Sequence, residues 1–260
     1  MAESKSNLPD RRLTDLKLDA LDARIRDSVG AFAEKLAAAV ANNMRSITIV
    51  GSSLTDDFTP GHSDINTVLV VGEQTVATLN AIASLARPMS RKKISPPLLM
   101  TSSYIERSRD VFGVEFLDFQ LTHETILGQD PFAPLTFEKK NVRLQCEREL
   151  KAMLIRLRQG YIAAAANRRL VRDILVSTAK GLAPLLRAML WLRDIDRPSR
   201  TEPTFNKAAA EFSFNADSLT TAAQWRHEKI RLGSVEMENA FASVCATVDQ
   251  LAGIVDKLEV

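Results

Sequence analysis

Gly51-Ser52, Asp64 and Asn66 are the residues of this 260-residue chain whose types and spacing suit chemistry. Gly51 and Ser52 end an apolar, β-branched run, Ile47-Thr48-Ile49-Val50. Asp64-Ile65-Asn66 opens a second, Thr67-Val68-Leu69-Val70-Val71. A Gly-Ser turn at a strand end offers backbone N–H groups and a hydroxyl to a phosphate, and a carboxylate beside it can hold a divalent metal. Side chains alternate along a strand, so residues 64 and 66 point the same way and both are metal-ligand candidates. Position 66 carries an amide. Its oxygen can ligate Mg²⁺ but brings no charge to a cation that must offset a triphosphate.

The elements that must hold these residues read as two strands joined by turn chemistry, with Asp56, Asp57, Pro60, Gly61 and His62 in between. A short antiparallel or mixed pair fits them. Upstream, Leu21, Ile25, Val29, Phe32, Leu36 and Val40 form one apolar stripe at helical spacing, which predicts a helix from about Thr14 to Asn42. Downstream, Val76, Leu79, Ile82 and Leu85 predict a helix closed by Pro88, and Leu98–Thr101 a strand before a short helix ending near Arg109. The run from Val111 to Leu121 alternates as a third strand would, placing Glu115 and Asp118 on opposite faces. From Asn141 onward the β signals stop. Helices are expected over 143–166, over 167–193 with a break or kink at Pro184, near 205–212, over 217–232, and over 235–257 with Ser234 as cap. The fold class is therefore α+β: an α/β domain with a small mixed sheet over residues 1–138, then an antiparallel helical bundle over 139–260.

Composition narrows the classes. The chain is 45% hydrophobic and 25% charged with a net charge of +2, which gives no clear nucleic-acid signature. Cys146 and Cys245 stand far apart in helix-like patterns and read as free thiols. The polar start, Met1 to Arg12, has no signal-peptide core, and no apolar run reaches the ~20 residues of a membrane helix, so a cytoplasmic, non-membrane protein is expected. His62, His123 and His227 lack metal-ligand spacing, and there is no Walker-type phosphate loop. Residues 141–200 hold 13 Lys/Arg against 5 Asp/Glu, a basic stretch suited to a polyphosphate ligand or to a solvated helix face.

The pattern Val50-Gly51-Ser52, a spacer, then Asp64-Ile65-Asn66-Thr67 resembles the signature of the DNA polymerase β-like nucleotidyltransferases, among them the aminoglycoside adenylyltransferases. Those enzymes also place a helical bundle after the α/β domain. From Gly51 to about Trp191 the chain is similar to an uncharacterised bacterial nucleotidyltransferase-domain family that shares the Asp-Ile-Asn motif. The resemblance implies that Gly51, Ser52 and Lys151 bind nucleotide, ATP first, and that Asp64 and Asn66 hold its Mg²⁺. It implies a further carboxylate from a neighbouring strand, Glu115 first and Asp118 next, and a base, Glu147, at the start of the bundle. Glu147 and Lys151 are four apart on one helix face, a spacing equally at home in a surface ion pair. Nucleotidyl transfer from Mg–NTP to a hydroxyl on a small molecule or protein is the reaction implied, with a degenerate metal site. The alternative is a catalytically silent, nucleotide-binding regulator that acts through its bundle. A homodimer is left open.

Overall fold

The structure is a computed structural model that describes residues 16–225 and 232–260. Its elements in chain order are α1 (Ala23–Val40), β1 (Met44–Val50), β2 (Asn66–Val71), α2 (Val76–Ala83), α3 (Ala86–Arg91), β3 (Leu98–Thr101), α4 (Ser102–Arg107), α5 (Gly113–Leu121), β4 (His123–Gly128), α6 (Lys139–Ala164), α7 (Arg168–Leu192), α8 (Thr201–Phe212), α9 (Asp217–Gln224) and α10 (Ser234–Asp256). The protein is α+β, with one small mixed sheet and many helices. Thr14, His227 and the end of the helix expected over 217–232 lie outside the described residues.

The chain divides into two compact units that interleave in sequence. The first holds residues up to 54, 58–102 and 123–131; the second holds 55–57, 103–122 and 132–260.

In the first unit the strand order is β3-β2-β1-β4, with β1 antiparallel to β2 and β4, and β2 parallel to β3. The stripe expected on α1 is the stripe observed: Leu21, Ile25, Val29, Phe32 and Leu36 are buried against Ile47, Ile49, Leu69 and Ile126. That helix starts later than its periodicity suggests, because Asp22 caps it by accepting from the Arg24 N–H at 2.7 Å. The Arg24 side chain bonds the same carboxylate and holds its pKa down to about 2. On α2 the buried face is Thr78 and Ile82. Val76 and Leu79, expected inside, are 71% and 52% exposed. Pro88 does not end the helical stretch there but sits in the first turn of α3, where its missing N–H has no helical partner to lose. At the end of β4, Gly128 has φ +82, and a β-carbon there would lie 2.0 Å from the Arg45 carbonyl oxygen, so only glycine closes this edge of the β1–β4 pair.

The second unit corrects the largest expectation. Residues 113–121 form a helix, α5, in place of the third strand expected over 111–121. Val114 and Leu117, three apart, are buried in one cluster with Val142, Cys146 and Leu150 of α6 and Leu175, Leu182 and Leu186 of α7. Packing on two helices decides the conformation of a run whose local pattern suited either. The fourth strand of the first unit is β4, over residues to which the sequence assigned no element.

The remaining helices lie near their expected spans. α7 runs unbroken through Pro184; the residue whose carbonyl loses its partner, Lys180, is exposed to water. This helix alone among the described residues is long and apolar enough to cross a membrane, and 61% of that window is buried inside the protein, as in a core helix. The cap of α10 is Gly233, whose N–H donates to the Glu236 carboxylate at 2.7 Å, so Ser234 is the first helical residue and not the cap. The N-terminus of α8 has no cap of its own; Asp57 supplies one, accepting from the Thr201 N–H at 2.7 Å.

Candidate functional site

In the first unit, β1 ends at Val50 and Gly51 opens a tight 3-10 turn through Leu54. Gly51 has φ +80, a conformation that a side chain resists. The space a β-carbon would take there is open except for Asn66 Nδ2 at 3.9 Å. The register explains that neighbour, since Val50 pairs with Asn66 across the β1–β2 ladder. Asn66 is half-buried, and Asp64, two residues earlier, is exposed. The turn and the Asx positions of the motif therefore stand side by side, with Gly51 open to approach.

The same register brings in a residue that sequence reasoning set aside. Val50 also pairs with His123 on β4, so Asn66, Val50 and His123 form one row across three strands. Thr48 and Thr125, two places along on that face, join hydroxyls at 2.9 Å. His123 Nε2 lies 2.7 Å from Asp130 Oδ2. The missed signal was the run Thr125-Ile126-Leu127 ending at Gly128, a short half-buried strand whose polar neighbours hid it.

The other candidates belong to the second unit. Glu115 and Asp118, on a helix, are three apart and share a side, which overturns the expectation of opposite faces. Glu115 accepts from Gln145 Nε2 at 2.6 Å, while Gln145 Oε1 accepts from the Val114 N–H at 2.9 Å. Asp118 accepts from Arg187 Nε at 2.5 Å; the two side chains are 15% and 9% exposed. Arg197 donates to the Leu117 carbonyl at 2.9 Å, and burial pushes its pKa down, against the pull of Asp118.

Glu147 and Lys151 do meet, at 2.5 Å. They are part of a clasp on the end of α10: Arg143 bonds Glu147 at 3.1 Å and the Val255 carbonyl at 3.0 Å, and Lys151 reaches Asp256 at 3.4 Å. Cations at a helix C-terminus are favourably placed against its dipole. The Lys151 hydrogen bond holds the Glu147 pKa below the ordinary carboxylate value and raises that of Lys151.

The fit of Mg²⁺ can be judged from these donors. Among the described residues no three His, Cys, Asp or Glu gather closely enough to hold a metal ion unaided. Asp64 and the Asn66 amide oxygen offer one charged and one neutral ligand. That suits an ion carried by a triphosphate, since Mg²⁺ commonly takes one or two carboxylates with phosphate oxygens and water. No protein-family model matches the chain, and no curated protein is significantly similar to it.

Proposed function

We propose that this protein binds a nucleoside triphosphate, ATP first, at the Gly51-Ser52 turn and transfers its nucleotidyl group to a hydroxyl acceptor. The observation that carries the reading is the open approach to Gly51 at φ +80, with Asn66 beside it and Asp64 two residues away. Gly51 would admit phosphate oxygens close to the backbone, and Ser52 is the residue proposed to bind them. Asp64 and Asn66 would hold the nucleotide's Mg²⁺, which when bound supplies charge neutralisation on the phosphate oxygens. With a single carboxylate where a paired one would serve better, transfer is slow.

One observation favours the second reading, a nucleotide binder without turnover. The acids sought as further carboxylate or base are occupied: Asp118 by Arg187, Glu147 by Lys151 and Arg143, and Glu115 by Gln145. Calorimetric titration of ATP and GTP, with and without Mg²⁺, combined with pyrophosphate detection, separates the two. Mg²⁺-dependent binding with pyrophosphate release supports the transferase, and binding without release supports the regulator. Absence of nucleotide binding removes both.

A further inference from the structure

Nucleotidyl transfer needs a group that takes the proton of the incoming hydroxyl, and the acids sought for that role in the second unit are occupied. The first unit holds another candidate. His123 opens β4 opposite Val50, the residue before Gly51, and β4 lies against the Gly51–Leu54 turn. Directly paired residues of antiparallel strands project from one face, so His123, Val50 and Asn66 share a face. His123 and Asn66 are two strand spacings apart, about 10 Å between Cα atoms, with apolar Val50 between them. That span leaves room for a phosphoryl group and the hydroxyl that attacks it.

Glu124, the one acid on β4, cannot serve there. It pairs with Ile49 and so belongs to the opposite face, where Ile49 and Ile126 pack with the α1 stripe. Thr125 is back on the His123 face, but its hydroxyl is joined to that of Thr48. His123 is thus the ionisable side chain that β4 brings to the Asn66 face. It is also oriented. Asp130, just past the strand, accepts from His123 Nε2–H at 2.7 Å, which makes Nδ1 the proton-accepting nitrogen of the neutral ring. The side chain keeps 14% of its surface exposed, an edge that a substrate can reach. We infer that His123 is the catalytic base of the proposed transfer and that Asp130 is its positioning residue. This inference rests on the nucleotidyl-transfer reading. The acceptor oxygen bonds the α-phosphorus as the bond from that phosphorus to the bridging oxygen breaks. Pyrophosphate leaves with that electron pair, and the acceptor's proton passes to His123 Nδ1. Asp130 holds the ring in place and faces the imidazolium that results.

The test uses the full chain with Mg–ATP and water as the acceptor, reading pyrophosphate release beside calorimetric ATP binding. His123→Gln should bind ATP within about twofold of the wild type and release pyrophosphate at least about a hundredfold more slowly. Imidazole added to His123→Ala should restore part of the rate, which a purely structural histidine would not allow. Asp130→Asn should lower kcat about tenfold with KM for ATP unchanged, and Asp130→Glu should recover most of the loss. Nitrogen NMR of the histidine rings, without nucleotide, should show His123 as the Nε2–H tautomer, a preference that Asp130→Ala should abolish. The inference is overturned, with the transfer reading intact, if the wild type releases pyrophosphate and His123→Gln matches it within about threefold. Failure of imidazole to rescue His123→Ala, or an Nδ1–H tautomer, overturns it in the same way. A wild type that binds ATP without release overturns the transfer reading and this inference together.

Discussion

Asp118→Ala is the perturbation that most directly asks whether this acid serves structure or chemistry. The Arg187 side chain is 9% exposed and its Nε lies 2.5 Å from the Asp118 carboxylate, so truncation leaves a guanidinium buried without its counter-ion. Its other contact is a long 3.5 Å bond to the Ser199 carbonyl, which supplies no charge. Breaking a buried pair from one side costs about 3–5 kcal/mol, because the remaining charge has lost its compensation. At roughly 2–4 °C per kcal/mol for a protein near this size, thermal unfolding should fall by about 6–20 °C. Removing both charges, as Asp118→Leu with Arg187→Met, should recover most of that loss, since an apolar pair of similar volume needs no counter-ion. Circular dichroism melts of the two single variants and the double variant give the coupling. A drop below ~2 °C for Asp118→Ala, or a double variant as unstable as the worse single one, refutes the reasoning. In that case Asp118 is free for catalysis, and Asp118→Asn would lower turnover while leaving the melt unmoved.

Asn66→Asp restores the charge missing from the Asp64 strand entrance and should tighten Mg²⁺-dependent ATP binding, measured by calorimetry; unchanged affinity would mean that position 66 does not reach the metal. Gly51→Val forces a β-branched residue to φ +80 and should cost about 1–2 kcal/mol in urea unfolding, with a larger loss in nucleotide affinity because the open approach is blocked. The lowered pKa of Glu147 fixes a pH dependence. A carboxyl whose pKa falls on folding stabilises the fold above its unfolded value, and that contribution fades as pH drops below the ordinary 4.5. Wild type and Glu147→Gln should therefore differ in stability at neutral pH and converge in acid. Burial pushes the Cys146 thiol up to about 12, so in the folded protein it should resist iodoacetamide at pH 8 and react only on unfolding, as mass spectrometry would report.

Much of the first unit was legible because its signals are local. The α1 stripe repeats at three and four residues, and β1 and β2 are dense β-branched runs that could pair only across one short turn region. α5 was not legible. Gly113, Val114, Phe116 and Leu117 are buried at spacings that satisfy a helix, yet Val111 to Leu121 also alternates as a strand would. What resolves the two is the bed of α6 and α7 beneath, together with the Gln145 side chain that takes the Val114 N–H. β4 failed in the opposite way. Ile126 is its only buried residue, so a strand held mainly by its ladder to β1 left little trace in hydropathy. At the candidate site, the Gly51–Asn66 proximity follows from strand pairing. The Arg187 partner of Asp118 lies 69 residues further on, and no local pattern announces it.

The interleaving of the two units has a consequence during synthesis. The first unit's last strand, β4, is complete once Gly128 has been made, so its four-stranded sheet can close early. α5 cannot settle then, because Val114 and Leu117 pack on α6 and α7, and α7 ends only at Leu192. At ~5–20 residues per second, the ribosome takes roughly 4–14 s to travel from Leu121 to Leu192. Asp57 waits longer still for Thr201, which begins α8. Through that interval the apolar 113–121 stretch lacks the helices it packs on and Asp57 lacks the N–H it caps, which favours chaperone engagement of the nascent chain near residues 113–121.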